Sequence, residues 1–288
     1  MRRSCHGNAR PARRGAAAAI VLSVSILLTG ACASTRLRGA SDAPLSPSDR
    51  KARVLDARTL ESSPLTALGL LEPILEEGDD AYWSRQAVEQ VAAMDGSLAR
   101  KGVSAAGVLL AHYSMDPRSP LAAHLLFHGA KLMAGTGQDQ DERLALYLLL
   151  RLIDEHSPSP LWDDAVWLAA DICRDRGYRG DETAVLEEAL LPHPGWGTDA
   201  LSGRFVQKVR YRLARLYERQ GRREKALFEY ALVINFHDGL ALKDDALWRI
   251  AVVHADLGND ELEQEALRML LSECPWSRHA AQARERLR

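Results

Sequence analysis

Five residues in the second half of the chain, Asp163-Asp164-Ala165-Val166-Trp167, return 81 positions later as Asp244-Asp245-Ala246-Leu247-Trp248. The same offset carries Ala170 to Ala251, Gly177 to Gly258 and Pro194 to Pro275. Seven identities in order with equal gaps mark an internal repeat, and a repeat confines the chain to architectures in which a small unit stacks on copies of itself. A third copy lies between them, Val209-Arg210-Tyr211-Arg212-Leu213-Ala214, followed by Tyr217, Gly221, Ala226 and Tyr230. The glycines Gly177, Gly221 and Gly258 stand 44 and 37 residues apart, which fits a unit of about 34 residues with loop insertions.

In this register the sequence resembles the tetratricopeptide repeat, a helix-turn-helix unit. That unit has small or apolar residues at its third, seventh and eighth places, Gly at the fifteenth, Ala at the twentieth and Pro at the thirty-second. The copy starting at Gln207 matches through Leu213, Ala214, Tyr217, Gly221, Ala226 and Tyr230. The copy starting at Asp163 matches through Ala165, Ala169, Ala170, Gly177, Ala189 and Pro194, and the one starting at Asp244 through Ala246, Ile250, Ala251, Gly258 and Pro275. Small residues let the paired helices approach, Gly frees the backbone to end the first helix, and Pro stops the second. The resemblance implies an all-α fold, a right-handed α-solenoid of tetratricopeptide-type helical hairpins. Residues 161–288 hold the repeats, with Ser277 to Leu287 as a capping helix that keeps the last apolar face from water.

Upstream, residues 51–160 read as divergent helical hairpins. Apolar residues at three- and four-residue spacing predict helices over Pro64 to Glu77, Asp80 to Met94, Val103 to Met115, Leu121 to Met133 and Arg143 to His156. Pro73 is expected to kink or break its helix, since it lacks an N–H and crowds the preceding turn.

The N-terminus reads as an address. Residues 1–41 contain no Asp or Glu, while Arg2, Arg3, Arg10, Arg13 and Arg14 crowd the start and an uncharged stretch runs from Gly15 to Ala31. A basic segment, an apolar segment and small residues before the cut make a secretory signal peptide over 1–31, with an uncleaved signal anchor as the competing reading. Leu28-Thr29-Gly30-Ala31-Cys32 resembles the lipobox of bacterial lipoproteins, which implies lipidation of the Cys32 thiol, the only strong side-chain nucleophile suited to a thioether bond. With a second acyl group on the new N-terminus, such an anchor is stable. Ala33, where inner-membrane lipoproteins often carry Asp, implies the outer membrane. Residues 32–50, rich in Ser, Ala and Pro, read as a lipidated flexible tether. Cleavage before Cys32 removes five Arg and no acid. The whole chain has 37 basic and 39 acidic residues and a charge of −2, and the mature chain falls to −7. Nothing basic enough for a nucleic-acid partner is left.

The resemblance to tetratricopeptide repeats places function on the concave groove lined by each first helix. Its fifth place holds Trp167, Tyr211 and Trp248, which would form a ridge able to anchor a partner peptide. Arg174, Lys208, Arg215 and Arg219 would line the same groove. The alternative is that the rings pack against the neighbouring repeat. The Asp163-Asp164 and Asp244-Asp245 pairs fall at the start of first helices, where acids suit the macrodipole, and they are not read as catalytic acids. His124 and His128 have metal-ligand spacing without the Glu of HExxH or a third ligand. Cys173 and Cys274 are expected to be free buried thiols. No Walker loop, GxSxG elbow or CxxC pair is present, so no catalytic residue, metal or cofactor is assigned.

Together, anchor and repeats resemble bacterial envelope lipoproteins, above all the BamD-like component of the outer-membrane barrel-assembly machinery. Asp-Asp-Ala-x-Trp-x-x-Ala, then Leu270 to Ser277 and Ala280-Ala281-Gln282-Ala283, carry this likeness over residues 160–288. It implies a non-catalytic scaffold, facing the periplasm, that binds envelope proteins or peptides and is held to the membrane by lipid. The alternatives are an envelope hydrolase or ligand carrier with a site in the N-terminal helices, or a pilus or secretion pilotin.

Overall fold

The computed structural model describes residues 44–60, 62–78, 82–191, 203–235 and 242–288. The signal segment, Cys32, the first part of the tether and Pro194 lie outside the described residues. Those described form helices and no strand, joined by turns. They fall into two compact units that divide between residues 129 and 130.

The first unit contains α1 (Pro47–Thr59), α2 (Pro64–Glu77), α3 (Tyr82–Ala93), the short α4 (Asp95–Ala99) and α5 (Ala105–Met115). Val54, Leu71, Ile74, Val88, Val91, Leu98 and Leu109 are fully buried and make its core. α1 begins inside the stretch read as tether, for reasons an apolar count does not register. The Ser46 hydroxyl accepts the Asp49 N–H at 3.2 Å, the Asp49 carboxylate accepts the Ser46 N–H at 3.2 Å, and Pro47 presets the first turn. The Arg50 guanidinium then reaches Glu77 at 2.5 Å, and Glu77 also accepts the Leu45 N–H at 2.6 Å. The carboxylate ending α2 therefore holds the start of α1.

Pro73 does not break α2, which runs on to Glu77 and ends at Gly78 with φ +64°. Position 69, whose carbonyl the proline ring would crowd, is a glycine, and the buried Leu68, Leu71, Ile74 and Leu75 hold both sides of the proline in place. A helix α6 follows over Ala122–Ala134. It approaches α5 closely at Gly129, where a Cβ would stand 2.9 Å from a Leu110 methyl carbon.

The second unit carries α7 (Asp139–Glu155), α8 (Trp162–Asp175), α9 (Arg179–Ala189), α10 (Gly203–Arg219), α11 (Arg223–Asn235), α12 (Lys243–Asp256), α13 (Asp260–Glu273) and α14 (Ala280–Arg286). It is a tetratricopeptide-type stack in which α8/α9, α10/α11 and α12/α13 are the hairpins and each helix packs on the next. The three hairpin turns are copies of one another. Gly177, Gly221 and Gly258 have φ of +72°, +73° and +72°. The following residue's N–H closes back on the carbonyl four residues before the glycine: Tyr178 to Cys173 at 2.8 Å, Arg222 to Tyr217 at 2.8 Å, and Asn259 to His254 at 2.9 Å. This is the Schellman closure, which needs a residue without a Cβ penalty at the left-handed position. Ala169, Ala170, Ala214, Ala226 and Ala251 are fully buried where the paired helices meet.

The compact unit that holds the three hairpins also takes in α7. The Trp162 indole N–H donates to the Ile153 carbonyl at 3.3 Å, and Arg176 pairs with Asp139 at 2.9 Å and with Glu142. At the other end α14 closes the stack.

Candidate functional site

The fifth-place aromatics lie on α8, α10 and α12, half-buried, and each is engaged within the unit. The Trp167 ring meets Phe205 edge-on at 5.7 Å, with the Arg212 guanidinium 5.5 Å from its centroid. Trp248 stacks on His279 at 5.0 Å, nearly parallel, with the Arg286 guanidinium at 5.6 Å. Tyr211 meets Tyr230 edge-on at 5.7 Å. Trp167 and Trp248 thus meet rings from the element that follows their own hairpin, while Tyr211 meets Tyr230 within its hairpin.

The contacts expose a regularity the sequence reading missed. Arg212, Arg249 and Arg286 all stand at the sixth place of their unit, 37 residues apart. The first and last lie over the aromatic of the hairpin before them. Phe205 and His279, each seven residues before its arginine, meet the same two rings, Phe205 edge-on and His279 stacked. A search for a recurring Arg at the repeat step would have found them.

Arg212 is the most heavily used. It donates to Glu182 at 2.8 Å, to Asp171 at 2.7 Å and to the Ala170 carbonyl at 2.9 Å, tying α10 to both helices of the hairpin before it. The Glu182 carboxylate is almost fully buried, with 3% of its side chain exposed. A charge so placed is tolerable only with a partner. The next sixth-place residue, Arg249, pairs with Glu218, which also accepts the Tyr230 hydroxyl at 2.9 Å.

The remaining predicted site residues separate into tied and open groups. Arg174 is occupied by Asp171 at 2.9 Å and Asp175 at 3.0 Å. Arg215 is half-buried, its Nε lacks a hydrogen-bond partner, and its one carboxylate contact is Glu218 at 3.9 Å. Lys208 and Arg219 are exposed. Cys32 lies outside the described residues.

The Asp pairs open α8 and α12, as expected for acids at a helix start. The second pair also holds the cap. The Ser277 hydroxyl donates to Asp244 at 2.7 Å, while Arg278 and His279 approach Asp245 at 2.7 and 2.8 Å. Burial pushes the Asp245 carboxyl up, but the hydrogen bonds from His279 and Arg278 outweigh it and the net shift is downward. Cys173 and Cys274 are free and buried. Burial, then Asp181 and Glu182, push the Cys173 thiol up to about 11, far from a reactive thiolate. His124 is buried on α6, and His128 meets Phe127 edge-on at 5.4 Å. Among the described residues no group of three or more His, Cys, Asp or Glu is placed to hold a metal ion. Nor is any helix there long and apolar enough to cross a membrane.

Neither the models of known protein families nor the curated proteins give a match to the sequence. Among solved structures, the chain is similar to MamA at 17% identity, with 61% of this chain and 91% of that one covered and a TM-score of 0.41. A tetratricopeptide repeat protein from Parabacteroides merdae ATCC 43184 is 19% identical over 70% of this chain and 72% of that one, with a TM-score of 0.44. The apo form of the quorum sensor NprR from B. thuringiensis is 12% identical over 83% and 69%, with a TM-score of 0.46. Likenesses of this size concern fold alone. The assignment of the hairpins rests on their own glycines, buried alanines and interlocking rings.

Two consequences can be measured. Arg212→Met leaves the buried Glu182 without its counter-charge and should lower unfolding free energy in urea by about 3–5 kcal/mol. A loss under about 1 kcal/mol, the range of an exposed ion pair, would mean the clamp carries little. Asp245 has a carboxyl depressed below the ordinary carboxylate range, so its contribution is present at neutral pH and lost as pH falls through its folded-state value. Asp245→Asn should therefore lower the melting temperature at pH 7, with the gap to wild type closing in acid; a gap independent of pH would exclude the ionised pair as its source.

Proposed function

We propose that this chain is a non-catalytic scaffold of the bacterial envelope, anchored to the outer membrane by lipid at Cys32 and binding protein partners along the first helices of its repeat unit. The observation that carries this reading is the repeat itself. Three hairpins with identical turn closure set α8, α10 and α12 in one register, so a partner meets three first helices at matching places. Repeat stacks offer extended binding surfaces of this kind. The lipobox-like sequence before Cys32 supports the anchor, and the BamD-like pattern over residues 160–288 supports a role in outer-membrane protein assembly.

The structure bears on which groups a partner can use. Trp167 and Trp248 are each engaged by a second ring and a guanidinium of the unit, so they shape the binding surface and stiffen it. Lys208, Arg215 and Arg219, with the half-buried Tyr211, are the predicted groove residues left to meet a ligand.

Affinity capture of the full chain from gently solubilised membranes tests the reading. Barrel-assembly proteins should be recovered in stoichiometric amount from wild type, and Cys32→Ser should abolish acyl labelling and membrane retention. A lone monomer that hydrolyses peptidoglycan or lipid would overturn the scaffold, and an unlabelled wild type would overturn the anchor.

A further inference from the structure

The arginines and lysine of α10 fall into two sets that the structure treats differently. α10 carries six basic residues, Arg204, Lys208, Arg210, Arg212, Arg215 and Arg219, against one acid, Glu218. Arg210 is neutralised by Glu229 at 2.9 Å, and Arg212 by Asp171 and Glu182. The other four are not neutralised in this way. No carboxylate among the described residues pairs with Arg204, Lys208 or Arg219, and the Glu218 carboxylate near Arg215 is taken by Arg249 and the Tyr230 hydroxyl.

These four share one stripe. Arg204, Lys208, Tyr211, Arg215 and Arg219 follow one another at steps of four, three, four and four, which brings them onto a single helix face. Such a stripe works against the helix that bears it. Arg204 with Lys208, and Arg215 with Arg219, are like charges one turn apart, and Arg204 stands at the positive end of the macrodipole. The mature chain is acidic, so basic residues at these places are not a compositional accident. The neighbouring first helices carry exposed acids, Asp164 on α8 and Asp256 on α12, so the positive strip is confined to α10.

We propose that this stripe, Arg204, Lys208, Arg215 and Arg219 with Tyr211 at its middle, is the docking strip for an extended acidic segment of a partner protein. The inference rests on the scaffold reading above and gives the partner its chemistry. From Arg204 to Arg219 the helix advances about 22 Å, which an extended segment of about seven residues spans. Alternate carboxylates of that segment meet the four cations, and Tyr211 offers an apolar edge between them for one side chain. The half-buried setting of Arg215 and Tyr211 favours a narrow strand over a flat lipid surface.

Fluorescence anisotropy of the purified full chain tests this, with a labelled eight-residue peptide of Asp and Glu around one central Phe. Binding should saturate and weaken about tenfold or more from about 50 to 300 mM salt, as exposed charges require. The same peptide with Lys in place of its acids should not bind. Lys208→Glu with Arg219→Glu should lose about tenfold or more in affinity with helical signal unchanged, while Arg268→Glu, an exposed site on α13, binds as wild type. Should the reversal unfold the chain, Lys208→Gln with Arg219→Gln gives the same comparison with a smaller loss. Equal binding of both peptides, or unaltered affinity in the stripe variants, would overturn the proposal. So would stripe-dependent binding of phosphatidylglycerol vesicles without binding of the acidic peptide. A chain that captures a protein partner from membranes but ignores the acidic peptide keeps the scaffold reading and loses this one.

Discussion

A guanidinium laid on the aromatic ring of the preceding hairpin is the contact on which the repeat unit depends. A stack of hairpins has no single core, and each hairpin is held only by its neighbours, so the joints decide whether the array behaves as one body. Arg212 on Trp167 and Arg286 on Trp248 are two such joints, each joined by a second ring, Phe205 or His279. Arg212 goes further, because its charge is spent on the buried Glu182 and on Asp171. The same residue thus satisfies a ring face and two carboxylates, which makes it intolerant of replacement by lysine, a point charge with no planar fork.

This joint also explains how the unit separates holding together from binding. Ring faces that a free groove would have offered to a ligand are consumed inside the stack. What is left on α10 is charge without counter-charge, on a helix whose other arginines are all paired. Fully neutralised arginines belong to the architecture; those left bare are available to something outside it. The cap follows the architectural rule, since Ser277, Arg278 and His279 spend their donors on Asp244 and Asp245 rather than on solvent.

Much of the fold was legible in the sequence because repetition amplifies weak signals. A glycine at a recurring place means little once, but three times it located three left-handed turns with the same closure. The positions of Trp167, Tyr211 and Trp248 were legible for the same reason; the neighbours of the two tryptophans were not, because they stand about 30 to 45 residues further along and obey no local period. The recurring arginine went unnoticed since the family pattern says nothing about the sixth place. In the first unit, α1 escaped because Ser46, Asp49 and Arg50 stabilise it by capping and charge, in a stretch whose composition resembles a linker. Pro73 was read from its general behaviour, which a glycine one turn earlier and four buried neighbours override. The ties of α7 to the hairpins, through Arg176 and Trp162, were not legible because those residues stand beyond a loop containing Pro158 and Pro160.

The central claim is that successive hairpins are coupled through ring and guanidinium, and a double-mutant cycle on Trp248 and Arg286 tests it most directly. Unfolding free energies of Trp248→Leu, Arg286→Gln and the double variant should yield a coupling of about 0.5–2 kcal/mol, the range of a cation over an aromatic face. Losses that add to within about 0.3 kcal/mol would contradict the account, since two side chains that do not sense one another cannot join two helices.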